Sequence, residues 1–244
     1  MNIRIQMKHV FYLKIAKQKV KNSIVFDFDN TITGSDNILQ SPKNFHLWKI
    51  MYGKHKIFEN TYDWDEDSKF IIKQQFNSNK ENNCDVKKFA NATSLVTYFM
   101  GGQHRLTRFR IFFEALSKKA NIYISSNGDT QMIYYFLVNA NLIKYISGIH
   151  GRMYNDKERQ GCFLSLKDEY DIDPFDVKYC QKTSGSKKIF MEKLLNKFEK
   201  ILFVDDNDED IINEKIIVFK HNEFKHEGYG LNIKCCFEIL NFKF

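Results

Sequence analysis

The chain has 244 residues, 43% hydrophobic, 15% aromatic and 27% charged, with a formal net charge of +7. That length suits one α/β core with a modest insertion rather than two full-sized domains, and no run approaches the roughly 18 apolar residues of a membrane span, so a soluble globular protein is expected. The positive charge favours anionic partners such as phosphorylated molecules, and the lack of zinc-finger, helix-turn-helix or RNP-type patterns argues against sequence-specific nucleic acid.

Residues 1–22 form a basic N-terminal segment carrying Arg4, Lys8, Lys14, Lys17, Lys19 and Lys21 and no acidic residue. Lys14 and Lys17 interrupt the apolar stretch a signal peptide needs, so no cleaved leader is expected. The mixture of apolar and cationic residues there allows a weak contact with an anionic membrane. From residue 23 onward the chain reads as a single domain, 23–244.

Three short apolar runs stand out: residues 23–26 (SIVF), 121–124 (NIYI) and 200–204 (KILFV). Such continuous runs suit strands buried on both faces of a parallel sheet. Residues 105–119, 130–141 and 187–200 have helical periodicity, so strand and helix alternate and a Rossmann-like, doubly wound parallel α/β sheet is predicted. Residues 34–102 fit that alternation poorly and are read as a small irregular cap insertion. Within it, Tyr62, Asp63, Trp64, Asp65 and Asp67 suit either a substrate-contacting cap tip or a surface loop. Residues 153–186, with Pro174 and two glycines, read as a second irregular stretch. His104 and Arg105, after Gly101 and Gly102, are expected to be solvated.

The five cysteines (Cys84, Cys162, Cys180, Cys235, Cys236) are odd in number and contain no C-x-x-C pair. Neither a disulfide framework nor a zinc site is expected, and a reducing cytoplasm fits best. Cys235 and Cys236 are read as a buried structural pair. Abundant Lys, Asn, Ile and Phe suggest an AT-rich genome, such as that of an intracellular bacterium or a large virus, which leaves delivery into a host cell open.

Each apolar run ends in polar residues. SIVF is followed by Asp27-Phe28-Asp29-Asn30-Thr31, NIYI by Ser125-Ser126-Asn127-Gly128, and KILFV by Asp205-Asp206-Asn207-Asp208-Glu209-Asp210. Ligands bind outside the carboxyl ends of strands in open parallel sheets, so one site lined by these three loops is predicted. A lone D-x-D would read as a turn or cap. Two carboxylate clusters on one edge repel each other unless a cation compensates them, and hard oxygen ligands suit Mg²⁺. Lys187, with Ser125 or Ser126, supplies the positive charge and hydrogen bonds a phosphoryl group needs. A turn after NIYI, opening a helix near Thr130, would add an anion-binding N-terminus.

VFDFDNTIT resembles the first motif of the haloacid dehalogenase (HAD) superfamily, hhhDxDxT. IYISSNG resembles the second motif, Lys187 opening KKIFMEKLL the third, and FVDDNDED the fourth, over roughly residues 23–33 and 111–219. The resemblance implies a phosphoric monoester hydrolase with Asp27 as nucleophile and Asp29 as acid/base. It also implies phosphate binding by Ser125 or Ser126, by Asn127, and by Lys187 or its neighbour Lys188. Mg²⁺ would lie on Asp27, the carbonyl of Asp29 and Asp206, with Asp210 behind it. Asp205 stands where many members have glycine, so the division of metal ligation between Asp205 and Asp206 is open. The expected substrate is a phosphoprotein, phosphotyrosine included, or another bulky phosphomonoester. A small-metabolite phosphatase is the nearest alternative, and a HAD-like binding module without turnover is the alternative of another class.

Overall fold

The computed structural model describes residues 22–33, 96–97, 100–153, 160–166, 172, 174, 176, 178–206, 211, 213–221 and 230–244. The expectations for residues 1–21, for residues 34–95 of the insertion (Tyr62 to Asp67 among them), for Cys84 and for Asp210 lie outside these residues.

The three apolar runs are strands, as expected: β1 (Asn22–Phe26), β2 (Asn121–Asp129) and β6 (Lys200–Asp205). They share one seven-stranded sheet with β3 (Ile146–Arg152), β4 (Gly161–Ser165), β5 (Cys180–Thr183) and β7 (Ile216–Lys220), in the order β5-β4-β3-β2-β1-β6-β7. The five strands from β3 to β7 across the centre are parallel, and β4 and β5 add an antiparallel edge. The chain builds outward from β1 to β5 on one side, then returns to place β6 on the other. Strand order therefore reverses between β1 and β6, where a Rossmann-like sheet opens a crevice at the strand ends.

Strand periodicity explains the unbroken apolar runs. Ile24 and Phe26 face a cluster built with α1 (Gln103–Ser117), α2 (Thr130–Asn139) and α4 (Ile233–Leu240), which contribute Phe109, Phe113, Phe136 and Ile239. Val25 points the other way, with Tyr123 and Phe203, onto Phe190, Met191 and Leu194 of α3 (Lys187–Leu194). A strand covered on both faces has no polar side to alternate with. Helix α3 stops at Leu194, short of the expected residue 200, because the chain must turn to enter β6 at Lys200. Val96 and Met100, at the end of the expected insertion, are buried in the larger cluster. Among the described residues, no helix is long and apolar enough to cross a membrane.

Three expectations are corrected. Residues 153–186 are not irregular throughout, since β4 and β5 lie in them; GCFLS and CQKT are too short and mixed to show a period. That pairing also overturns the expectation of unpaired cysteines. Cys162 on β4 and Cys180 on β5, 18 residues apart in sequence, sit diagonally across neighbouring strands with Cα atoms 5.9 Å apart and form a disulfide. Cys235 is buried and Cys236 partly so, as expected for a structural pair.

Arg105 is the third correction. His104 is exposed, but Arg105 is buried. Its guanidinium donates to the carbonyl oxygens of Ile32 (2.7 Å), Met100 (2.8 Å), Thr31 (3.3 Å) and Leu231 (3.2 Å), and lies 4.3 Å above the Phe109 ring. Burial lowers its pKa to about 10. The residue thus fastens the turn after β1 to helix α1 and to the segment before α4. Arg105→Met should leave these carbonyls without their donor and lower unfolding free energy by about 3 kcal/mol. Urea denaturation with an unchanged m-value checks this, and a loss below about 0.5 kcal/mol would place the arginine outside the stability of this junction.

Candidate active site

The ladder between β1 and β6 runs one residue past β1, with Asp27 N–H donating to Val204 O at 2.8 Å. Asp27 therefore leaves the sheet in strand geometry, on the α3 side. The chain then turns sharply. Asn30 adopts φ 58°, and the N–H groups of Ile32 and Thr33 both donate to Phe28 O. Phe28 anchors this turn in the core against Phe136, which leaves Asp29 buried beside Asp27.

Helix α3 delivers the cation. Ser186 caps it, its hydroxyl accepting from Ile189 N–H, and Lys187 is the first helical residue. Phe190 and Met191 sit three and four positions on and face the sheet, so Lys187 lies on the same inward face. Its ammonium is 2.9 Å from Asp27 Oδ1 and 2.8 Å from Asp205 Oδ2, whereas Lys188 is exposed. Of the two lysines, Lys187 is the one the structure sets against the aspartates.

Oxygens of Asp27, Asp205 and Asp206 all lie within 4.8 Å of one another. Fully ionised, these three carboxylates exceed the one ammonium among them by two negative charges. Burial, with help from Asp205 and Asp29 and against the pull of Lys187, pushes the Asp27 carboxyl well above the usual range. Burial and then Asp205 raise Asp206 to about 6, against the charge of Lys187 and a hydrogen bond with Asn30. Such a group is short of positive charge.

At the tip of β2 the expected turn is not formed. Residues 125–129 remain in the strand, with a register irregularity against β3 between Ser125 and Asp129, and α2 starts directly at Thr130. Gly151 makes this possible, since a Cβ there would lie 2.5 Å from Gly128 O. The register pairs Phe26 with Ile124, so Ser125 neighbours Asp27 across the ladder. Ser125 Oγ lies 2.8 Å from His150 Nδ1, and Ser126 Oγ accepts from Gly128 N–H at 3.0 Å. Asn127 is exposed. The structure therefore gathers Asp27, Asp29, Lys187, Asp205 and Asp206, and sets Ser125 beside them.

Two histidines escaped the sequence reading. His150 lies in the last part of β3, and His221 follows β7 and lies 3.0 Å from Thr31 Oγ1. Both sit at the same sheet edge as the aspartates. Recognising β3 and β7 as strands would have exposed them, but ISGIHGR carries two glycines and IIVFK is short.

No protein-family model matches the chain, and no curated protein matches it. Solved structures do. The HAD domain of the effector protein Lem4 from Legionella pneumophila aligns at 15% identity and TM-score 0.42, covering 92% of this chain and 99% of that one. A HAD-superfamily hydrolase from Ehrlichia chaffeensis aligns at 15% identity and TM-score 0.38, over 92% and 97%. Cytosolic 5'-nucleotidase IIIB bound to cytidine aligns at 14% and 0.40, over 91% and 85%. At these identities and scores, function has to be argued from the residues of the site.

Burial holds both histidines down, each to about 4. Their unfolded pKa is near 6.5, so they contribute stability that is complete above about pH 6.5 and lost as pH falls towards 4. Asp129 and Asp206, raised to about 6, act with the opposite sign in that window. The difference between variants is therefore the readable quantity. Between pH 7 and pH 4 the wild-type protein should lose of order 2 kcal/mol more stability than His221→Gln, measured by urea denaturation at each pH. Parallel pH profiles would contradict a buried neutral His221.

Proposed function

We propose that this chain is a HAD-type, Mg²⁺-dependent phosphomonoester phosphatase that works through an aspartyl-phosphate on Asp27. The observation that carries the reading is the buried cluster at the β1/β6 crevice, in which one ammonium from Lys187 meets carboxylates from Asp27 and Asp205, with Asp206 and Asp29 beside them. Its donors are hard oxygens, and Asp27, Asp205 and Asp206, fully ionised, exceed the Lys187 ammonium by two charges, which suits Mg²⁺. Asp27, Asp206 and the carbonyl of Asp29 would hold the ion, with Asp205 the further carboxylate within reach. When bound, the ion offsets the charge of the transferring phosphoryl oxygens.

The protein's residues then divide the work. Lys187 holds the Asp27 carboxylate and neutralises phosphate charge beside it. An Asp27 oxygen attacks phosphorus, the bond from phosphorus to the ester oxygen breaks, and Asp29 gives that oxygen its proton. In the second step Asp29 takes a proton from water, the water oxygen attacks phosphorus, and the bond to Asp27 breaks. Phosphate leaves and both aspartates are restored. Asp29 sits in the turn directly after the nucleophile, close enough to influence the Asp27 carboxyl, which suits a group acting on either face of one reaction. The net charge of +7 favours a phosphoprotein, phosphotyrosine included, or another bulky phosphomonoester as substrate.

Asp27→Asn should abolish turnover of every substrate, because a neutral amide forms no acyl-phosphate. Asp29→Ala should damage alkyl phosphates most, tyrosyl phosphates less and nitrophenyl phosphate least, in the order of the leaving oxygen's need for a proton. EDTA should silence the enzyme and Mg²⁺ should restore it. Steady-state kinetics on the three ester classes checks all of this. Full activity in Asp27→Asn would refute the scheme, and a pure, folded wild-type protein without turnover would make the chain a binding module. A preference for a metabolite phosphate over phosphopeptides by more than about tenfold in kcat/KM would replace the phosphoprotein assignment with a metabolite phosphatase.

A further inference from the structure

His150 is fully buried beside the site. Its ring stacks on Phe190 with centroids 4.4 Å apart and planes 2° from parallel. Nδ1 lies 2.8 Å from Ser125 Oγ, and Nε2 lies 2.8 Å from the backbone oxygen of Ser184. A carbonyl oxygen only accepts, so Nε2 carries a proton, and in the neutral ring that burial favours Nδ1 is then the bare nitrogen. Ser125 must therefore donate its one hydroxyl proton to Nδ1, which spends that proton on the ring.

The positions of the partners give this chain of bonds its meaning. Ser184 stands three residues before Lys187 and Phe190 three residues after it, so one ring grips the start of α3 on both sides of the lysine. Ser184 also accepts from Ser186 N–H through its hydroxyl at 3.2 Å, and Ser186 is the α3 cap. At the other end, Ser125 is on β2 next to Asp27. Burial, opposed by the bond to Ser184 and helped by Lys187 and Lys193, holds His150 down to about 4, so the ring is neutral near pH 7.

We propose that His150 is a positioning residue for the phosphatase reaction put forward above: its ring ties the tip of β2 to the turn that starts α3 and so sets Lys187 against Asp27. The inference rests on that functional reading for its kinetic consequence alone. The ring state itself does not depend on it.

The experiment compares two variants of the full chain, assayed on nitrophenyl phosphate with Mg²⁺. His150→Phe keeps the aromatic ring on Phe190 and removes both hydrogen bonds. His150→Gln places an amide N–H where Nε2–H was and can still reach Ser184 O. The lysine bears on the reacting group, so kcat should fall about 10- to 100-fold in His150→Phe with KM changed less than about threefold. In His150→Gln, kcat should recover to within about fivefold of wild type. Wild-type kcat in a folded His150→Phe, or equal losses in both variants, overturns the proposal.

A second measurement covers the case in which the phenylalanine variant does not fold. Long-range ¹H–¹⁵N NMR on the wild-type protein should show His150 as the neutral Nε2–H tautomer from about pH 5 to 8. An Nδ1–H tautomer, or an imidazolium at about pH 6, overturns the latch. A wild-type protein without turnover would sink the phosphatase reading, and the tautomer would still decide whether the ring is wired as described.

Discussion

The Lys187 ammonium, wedged between Asp27 and Asp205 at 2.9 and 2.8 Å, is the contact on which the site depends. Removing a buried charge from water is costly unless good geometry repays it, and removing one partner leaves the others uncompensated. Each of the three residues is tied to a different element: Asp27 to the end of β1, Asp205 to the end of β6 and Lys187 to the first turn of α3. The ion pairs therefore hold together the crevice that the reversal of strand order opens. One lysine does not balance the carboxylates around it when they are ionised, and the remaining negative charge is what the proposed Mg²⁺ would offset.

Much of the surrounding structure keeps these three residues in register. The turn after Asp27 is held by Phe28 in the core and by Arg105, which gathers its carbonyl oxygens from the far side. The Arg105 guanidinium donates to backbone carbonyls from three segments of the chain, and charge-assisted bonds of this kind away from water tie those segments together. On the opposite face, His150 and Phe190 fix the start of α3. The two faces of the sheet thus hold Asp27 and Lys187 from opposite sides, with one thin layer of strands between them.

The edge of the sheet is built differently from its centre. Strands β4 and β5 run antiparallel, are short, and are joined by the Cys162–Cys180 disulfide. Their role for the site is indirect but specific. They bring Ser184 alongside Gly161, where a Cβ would lie 2.4 Å from the Ser184 carbonyl, and so place the oxygen that His150 grips.

The sequence by itself determined the elements whose signal is local: the apolar runs of β1, β2 and β6, the helical periods of α1, α2 and α3, and the acidic pairs that follow two of the strands. A strand buried on both faces announces itself by its composition. Tertiary structure alone decided what depends on distant partners. ISGIHGR, GCFLS and CQKT become strands because their neighbours accept their hydrogen bonds, not because of any period of their own. Arg105 is buried because four carbonyl oxygens converge on it, and Cys162 meets Cys180 because β4 and β5 are adjacent. The His150 ring lies between Ser125 and Ser184, 25 and 34 residues away in the chain, a relation that no window along the sequence contains.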